Sequence, residues 1–166
     1  GLFELWLSET YEVRTAADGV EALERVDEAV DVVVLDREMP RKDGVAVARE
    51  LRSGPLSPAV VMVSGVAPGP DLLDVPVDDY CRKPVTRGTV CDTVDRAAAA
   101  AECDAVERHR RALSARIAVV EAHVDQSVLD ASDAYDRAAA VLEGLVSSNS
   151  PPTSRSPPGP TRNAIR

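Results

Sequence analysis

Residues 32–36 read VVVLD, four large apolar residues running without interruption into an aspartate. Three of the four are β-branched, and no polar residue alternates with them. This is the pattern of a strand covered on both faces, and it requires helices above and below a parallel sheet. A second run of the same kind, AVVMVS, occupies residues 59–64. DGVAVARELRS lies between the two and predicts a helix. Upstream, YEVRTA reads as a short strand. ADGVEALERV reads as a helix capped by Asp18, with Val20, Leu23 and Val26 near one face. Leu2, Leu5 and Trp6 fall at helical spacing, so the chain opens within a helix. GVAPGPDLLDVPV holds too many prolines and glycines for a long helix. DDYCRKPV predicts a further strand, and TRGTVCDTVDRAAAAA a helix capped by Thr86. Strand and helix thus alternate to about residue 100, which predicts an α/β fold with a doubly wound parallel sheet.

In such a sheet a site forms beyond the carboxyl ends of the strands. Asp36, Ser64 and Lys83 close three successive apolar strands and are expected to converge there. An aspartate at a strand end serves as a nucleophile, a metal ligand or a helix cap. Its company favours chemistry over capping. A carboxylate that attacks a phosphoryl group needs a divalent cation against anionic repulsion, a second cation opposite, and a hydroxyl or amide donor for the phosphoryl oxygens. Lys83 and Ser64 supply the last two.

Composition narrows the partners. The 166 residues carry a net charge of -9 and are 45% hydrophobic but only 3% aromatic. Val, Leu and Ala therefore build the core. Pro151 to Arg166 contains three arginines and no acid, so the rest of the chain is more acidic than the total implies. Such a surface repels nucleic-acid phosphates and anionic lipid as default partners. Lys42 and Lys83 are the only lysines while aspartate is abundant, a bias shared by proteins of salt-loving organisms and by products of GC-rich genomes alike. Cys81, Cys91 and Cys103 show no zinc or disulfide spacing and fit a reducing cytoplasm. The opening GLFELWLSE lacks the basic flank of a signal peptide, and no stretch suffices to span a bilayer.

Together Asp36, Met39, Pro40 and Gly44 resemble the D-x-x-M-P-x-x-x-G signature of response-regulator receiver domains. Ser64 with Gly65 resembles their Ser/Thr-small switch, and DDYCRKP their last strand and Lys-Pro pair. The resemblance spans roughly residues 1–100 and implies a flavodoxin-like sheet. It implies that Asp36 accepts a phosphoryl group from the phosphohistidine of a sensor histidine kinase. Lys83 would pair with that group, the bond before Pro84 would be cis, and the Ser64 hydroxyl would close on a phosphoryl oxygen. Tyr80 matches the aromatic that turns inward with that movement. Asp36 and the Glu38 main-chain carbonyl match ligands of a magnesium ion. The family's first strand and the acidic pair after it have no counterpart ahead of Gly1, so the chain is expected to be a fragment or a mis-started frame that binds magnesium weakly. The loss of that strand would leave its two neighbours without backbone partners. The fourth helix is expected to be short or absent, and Arg82 is unusual in the last strand.

From Ala101 onward the reading changes. Val106, Leu113, Ile117, Val120, Val124, Ala131, Ala134, Ala138, Val141 and Leu145 share a heptad seam interrupted at Ser127, which predicts a helical hairpin or weak coiled coil over residues 101–147. Residues 148–166 are expected to form a disordered tail. A receiver followed by acidic helices resembles the haloarchaeal HalX-type response regulators, which implies an output in transcription regulation through a homodimer or a protein partner. The basic cluster Arg108 to Arg111 with Arg116 is read as a solvated helix face rather than a phosphate contact, and whether DNA is bound directly is left open. Two functions are carried: a phosphorylation-controlled, non-enzymatic signalling module, and a pseudo-receiver that binds partners without phosphorylation. A hydrolase is disfavoured because LDREM lacks the D-x-D of such enzymes.

Overall fold

The structure, a computed structural model, describes residues 1–147 and the backbone of residues 163–165. Strands β1 (Glu12–Arg14), β2 (Val32–Asp36), β3 (Ala59–Ser64), β4 (Asp79–Arg82) and β5 (Asn163–Ile165) form one sheet in the order β1-β5-β2-β3-β4. All of its pairings are parallel. The helices are α1 (Leu2–Leu7), α2 (Gly19–Arg25), α3 (Gly44–Ser53), α4 (Arg87–Ala101), α5 (Ala105–Glu121), α6 (Gln126–Leu129) and α7 (Asp133–Ser147), with a single 3-10 turn at Pro70–Asp74 where a longer helix was not expected.

Alternation along the strands divides the core in two, because successive side chains point to opposite faces. Val33, Leu35, Val60, Met62 and Tyr80 face α3, the 3-10 turn and the α5/α7 hairpin. Val32, Val34, Val61, Val63 and Cys81 face α1 and α4. Each such side chain is nearly or wholly buried and contributes about 1.5–3 kcal/mol, so β2 and β3 anchor the domain. Sequence and structure differ at α1. Phe3 and Leu7 are buried, whereas Leu2 and Leu5 are 56% and 70% exposed. Both pairs sit at helical spacing, and the α4 face they meet makes the choice. Arg82 sits at the exposed end of β4, so its charge does not disturb the strand's packing.

The hairpin packs on the domain's side rather than extending from it. Leu113, Ile117, Val120 and Ala138 of the expected seam are buried, but Val106 and Val141 remain 56% and 46% exposed. The expected solvated basic face needs correction too. Arg108 donates to both Asp78 oxygens at 3.0 and 3.1 Å and to the Ser57 and Pro58 carbonyls. Arg116 is buried and donates to the Leu73 and Val75 carbonyls at 2.9 and 2.6 Å. Apart from the Ala112 carbonyl, which also takes a bond from Arg116, their acceptors lie in the α/β domain, at least 30 residues away in the chain. Only Arg110 and Arg111 stay on their own helix, gripping Glu107.

The expected tail lies outside the described residues except at Asn163–Ile165, which form β5 rather than disordered chain. β5 enters the sheet between β1 and β2, pairing with Glu12–Arg14 on one side and with Val32 and Val33 on the other. The expectation that these two strands lack partners there is therefore corrected. Strand edges inside a sheet require hydrogen-bonding groups, and the chain's own end supplies them.

Candidate functional site

Strand register builds the site. Asp36 lies opposite Val63, the last residue of β3 is Ser64, and Ser64 lies opposite Arg82. Asp36, Ser64 and Lys83 therefore reach the same edge of the sheet in three adjacent strands. The Lys83 N–H donates to the Ser64 carbonyl at 2.8 Å, which holds the chain entering the Lys83–Pro84 bond against β3. That bond is cis.

Asp36 and Lys83 meet directly: the Lys83 ammonium donates to Asp36 Oδ2. Oδ1 accepts from the Glu38 N–H at 3.1 Å, so both carboxylate oxygens are engaged. Each side chain keeps over a third of its surface in solvent, 36% for Asp36 and 39% for Lys83. The pair is thus reachable from outside. Its carboxylate opens on a cleft of about 390 Å³ that Glu38, Met39 and Pro40 also line.

Gly44 explains the spacing of the motif around Asp36. Its N–H donates to the Arg37 carbonyl at 3.0 Å, folding the loop back onto the strand end. A Cβ at this position would fall 2.3 Å from the Asp36 carbonyl oxygen and 3.1 Å from Arg37 Cα. Only glycine permits the approach. Asp43 then caps α3 by accepting from the Ala46 N–H at 2.8 Å. Arg41, in the same loop, holds a left-handed φ of 63° while its guanidinium binds Asp18, the cap of α2.

Ser64 is close by but not bonded to Asp36. It is fully buried, and its hydroxyl accepts from the Val66 N–H at 3.0 Å. Tyr80, also buried, donates its hydroxyl to the Val66 carbonyl at 2.7 Å. One residue of the loop after β3 is therefore held from both sides by the two residues expected to move together. Val66 itself carries no sequence signal for this role. Asp79, which opens β4, and Asp78 just before it were not singled out by sequence reasoning either. Asp78 binds Arg52, Arg108 and the Val60 N–H, and Asp79 binds Arg96.

Among the described residues no group of three or more His, Cys, Asp or Glu side chains converges to hold a metal. The donors at hand are the Asp36 carboxylate and the main chain at Glu38. Both Asp36 oxygens are already engaged, by Lys83 and the Glu38 N–H, so this is a sparse donor set for a magnesium ion, which would keep most of its water.

Residues 2–95 match the family described as response regulator receiver domain. Among curated proteins, the chain is 44% identical over 91 residues to a Haloferax volcanii protein described provisionally as a transcriptional regulator, covering 54% of this chain and 16% of that one. It is 36% identical over 88 residues to the transcriptional regulatory protein CpxR of Klebsiella pneumoniae, covering 50% of this chain and 37% of CpxR. It is 46% identical over 78 residues to the response regulator MprA of Mycobacterium leprae, covering 45% and 34%. The chain thus spans little more than a third of the length of these relatives at most. Among solved structures, the Francisella response regulator 1452 receiver domain superposes with a TM-score of 0.53 at 24% identity, over 59% of this chain and 85% of that one. The receiver domain of sensor histidine kinase PA1611 from Pseudomonas aeruginosa gives 0.53 at 25% identity, over 59% and 86%, and its structure has magnesium coordinated in the active site cleft.

Proposed function

The chain belongs to the response regulator receiver domain family, and from that premise we propose that Asp36 accepts a phosphoryl group from the phosphohistidine of a partner sensor histidine kinase. The observation that carries this reading is the contact between the Lys83 ammonium and the Asp36 carboxylate at the shared strand edge. A carboxylate with one oxygen on a lysine and the other on a main-chain N–H is oriented and partly neutralised, while over a third of its surface stays open to a donor.

In the transfer, an Asp36 oxygen forms the new P–O bond as the P–N bond of the donor breaks, and the bonding electrons return to the imidazole. Lys83 shifts its hydrogen bond to a phosphoryl oxygen, opposing the added charge. The Ser64 hydroxyl leaves the Val66 N–H, from which it accepts, and donates to another phosphoryl oxygen. Tyr80 follows because it holds the same residue. Asp36 and the Glu38 carbonyl would hold a magnesium ion, which would supply charge neutralisation at the phosphoryl group.

The α5/α7 hairpin, residues 101–147, acts as the output region. It is joined to the receiver part, residues 1–100, through the bonds of Arg108 and Arg116. A transcriptional output follows the names of the relatives, with a homodimer or another protein as the hairpin's partner. The HalX-type resemblance belongs to this reading. The three free cysteines suit a cytoplasmic setting, and among the described residues no helix is long and apolar enough to cross a membrane.

The test is incubation with acetyl phosphate and magnesium, followed by intact-mass measurement. Wild-type protein gains one phosphoryl group, and Asp36→Asn gains none. Labelling that persists in Asp36→Asn refutes the assignment of the acceptor. The second reading is a pseudo-receiver that binds partners without phosphorylation. Wild-type protein that neither acetyl phosphate nor a sensor kinase can label would establish it.

A further inference from the structure

Away from Asp36, a cavity of about 730 Å³ lies between the α/β domain and the α5/α7 hairpin. Its walls are mainly apolar, including Leu73, Val77, Leu113, Ala138 and Val141. Its charged lining is four arginines, Arg52, Arg108, Arg116 and Arg137, against two aspartates, Asp74 and Asp78. In a chain whose net charge is -9, this pocket keeps two positive charges in excess.

The excess has a location. Asp78 is occupied by Arg52 and Arg108, and Asp74 by Arg137 at the rim. Arg116 is 6% exposed and makes no ion pair among the described residues; its partners there are the carbonyls of Ala112, Leu73 and Val75. Burial pushes its guanidinium below the usual arginine range, opposed by the nearby charges of Asp78 and Asp74. A guanidinium carries five N–H donors in a fixed fork suited to carboxylate and phosphate groups. A buried cation without an anion is costly, and an anion entering the cavity would relieve that cost.

We propose that this cavity binds a small amphipathic anion, an apolar body with one carboxylate or phosphate head, the head at Arg116 and the body against Leu113 and Val141. Its volume is that of pockets which enclose small ligands, roughly 300–1,000 Å³. The site is separate from Asp36 and lies where the two parts of the molecule meet, so its occupant braces the hairpin against the domain.

Titration calorimetry with decanoate and with octyl phosphate, each against the full chain, tests the assignment and shows which head is preferred. Saturable one-site binding is expected, with decanol and inorganic phosphate much weaker because each offers half of the chemistry. Arg116→Met should weaken binding by at least about tenfold. Two exposed variants guard against misfolding: Arg137→Glu, which removes the charge excess at the rim, and Ala105→Trp, which narrows the mouth. Both should weaken binding with unchanged helical circular dichroism, while Asp36→Asn should bind as wild type. Absence of saturable binding, decanol equal to decanoate, or binding untouched by all three pocket variants would overturn the proposal. So would loss of binding in Asp36→Asn.

Discussion

Tyr80 and Val66 are joined by a hydroxyl-to-carbonyl hydrogen bond of 2.7 Å, on the same residue whose N–H is held by Ser64. This makes the loop after β3 a reporter of the site beside it. Tyr80→Phe keeps the buried ring and removes one bond, which should cost about 1 kcal/mol in urea unfolding. Ser64→Ala should leave the Val66 amide without its acceptor, and hydrogen exchange at Val66 should accelerate. An unchanged exchange rate would mean that the hydroxyl does not hold the loop.

Gly44→Ala should be among the most damaging small substitutions in the motif. The added methyl would meet the Asp36 and Arg37 backbone, neither of which can swing aside as a side chain does. A loss of about 3 kcal/mol is expected, with Asp36 displaced from Lys83. Thermal unfolding checks the first expectation, and acetyl phosphate labelling the second. A melting temperature equal to wild type would contradict the close approach.

Asp78 is 1% exposed at its side chain and bonds to two arginines and the Val60 N–H. Asp78→Ala leaves those cations facing an apolar wall, a change expected to cost about 3–5 kcal/mol. Because Arg108 belongs to α5, the hairpin should loosen with it. Amide protection in α5 should therefore fall more than in β2. Equal losses in both elements would argue that Asp78 is not specific to this junction.

Hydrogen bonds from Arg110, then Arg111, lower the Glu107 carboxyl from 4.5 to about 2. A depressed folded-state value means stability that is complete above the unfolded value and is lost as pH falls toward the folded one. The contribution should therefore fade between about pH 4.5 and 2. At the surface such pairs are worth about 0.5–1 kcal/mol. Comparing wild type with Glu107→Gln in denaturant at pH 7 and near pH 2 should show a gap that closes. A gap unchanged by acid would exclude the ion pairs as its source.

The parts of this protein legible in the sequence are those set by local periodicity and by strand ends. Uninterrupted β-branched runs at residues 32–35 and 59–63 demanded a sheet covered on both sides, and the residue closing each run had to emerge at one edge. For that reason the sequence places Asp36 and Ser64 together, with Lys83, which closes the third strand, beside them. The Asp18 and Thr86 caps were equally legible, because an N-cap bonds only to its own first turn.

Tertiary structure decided whatever depended on a distant partner. Six residues of α1 offer two apolar faces, and only the surface of α4 selects Phe3 and Leu7 over Leu2 and Leu5. Arg108 and Arg116 have the composition of a solvated face, yet they turn inward because the carbonyls of Ser57, Pro58, Leu73 and Val75 lie beneath them. The place of Asn163–Ile165 in the sheet is the sharpest case. Three residues carry no strand periodicity of their own, and the hydrogen-bonding edges of β1 and β2 are what give them one.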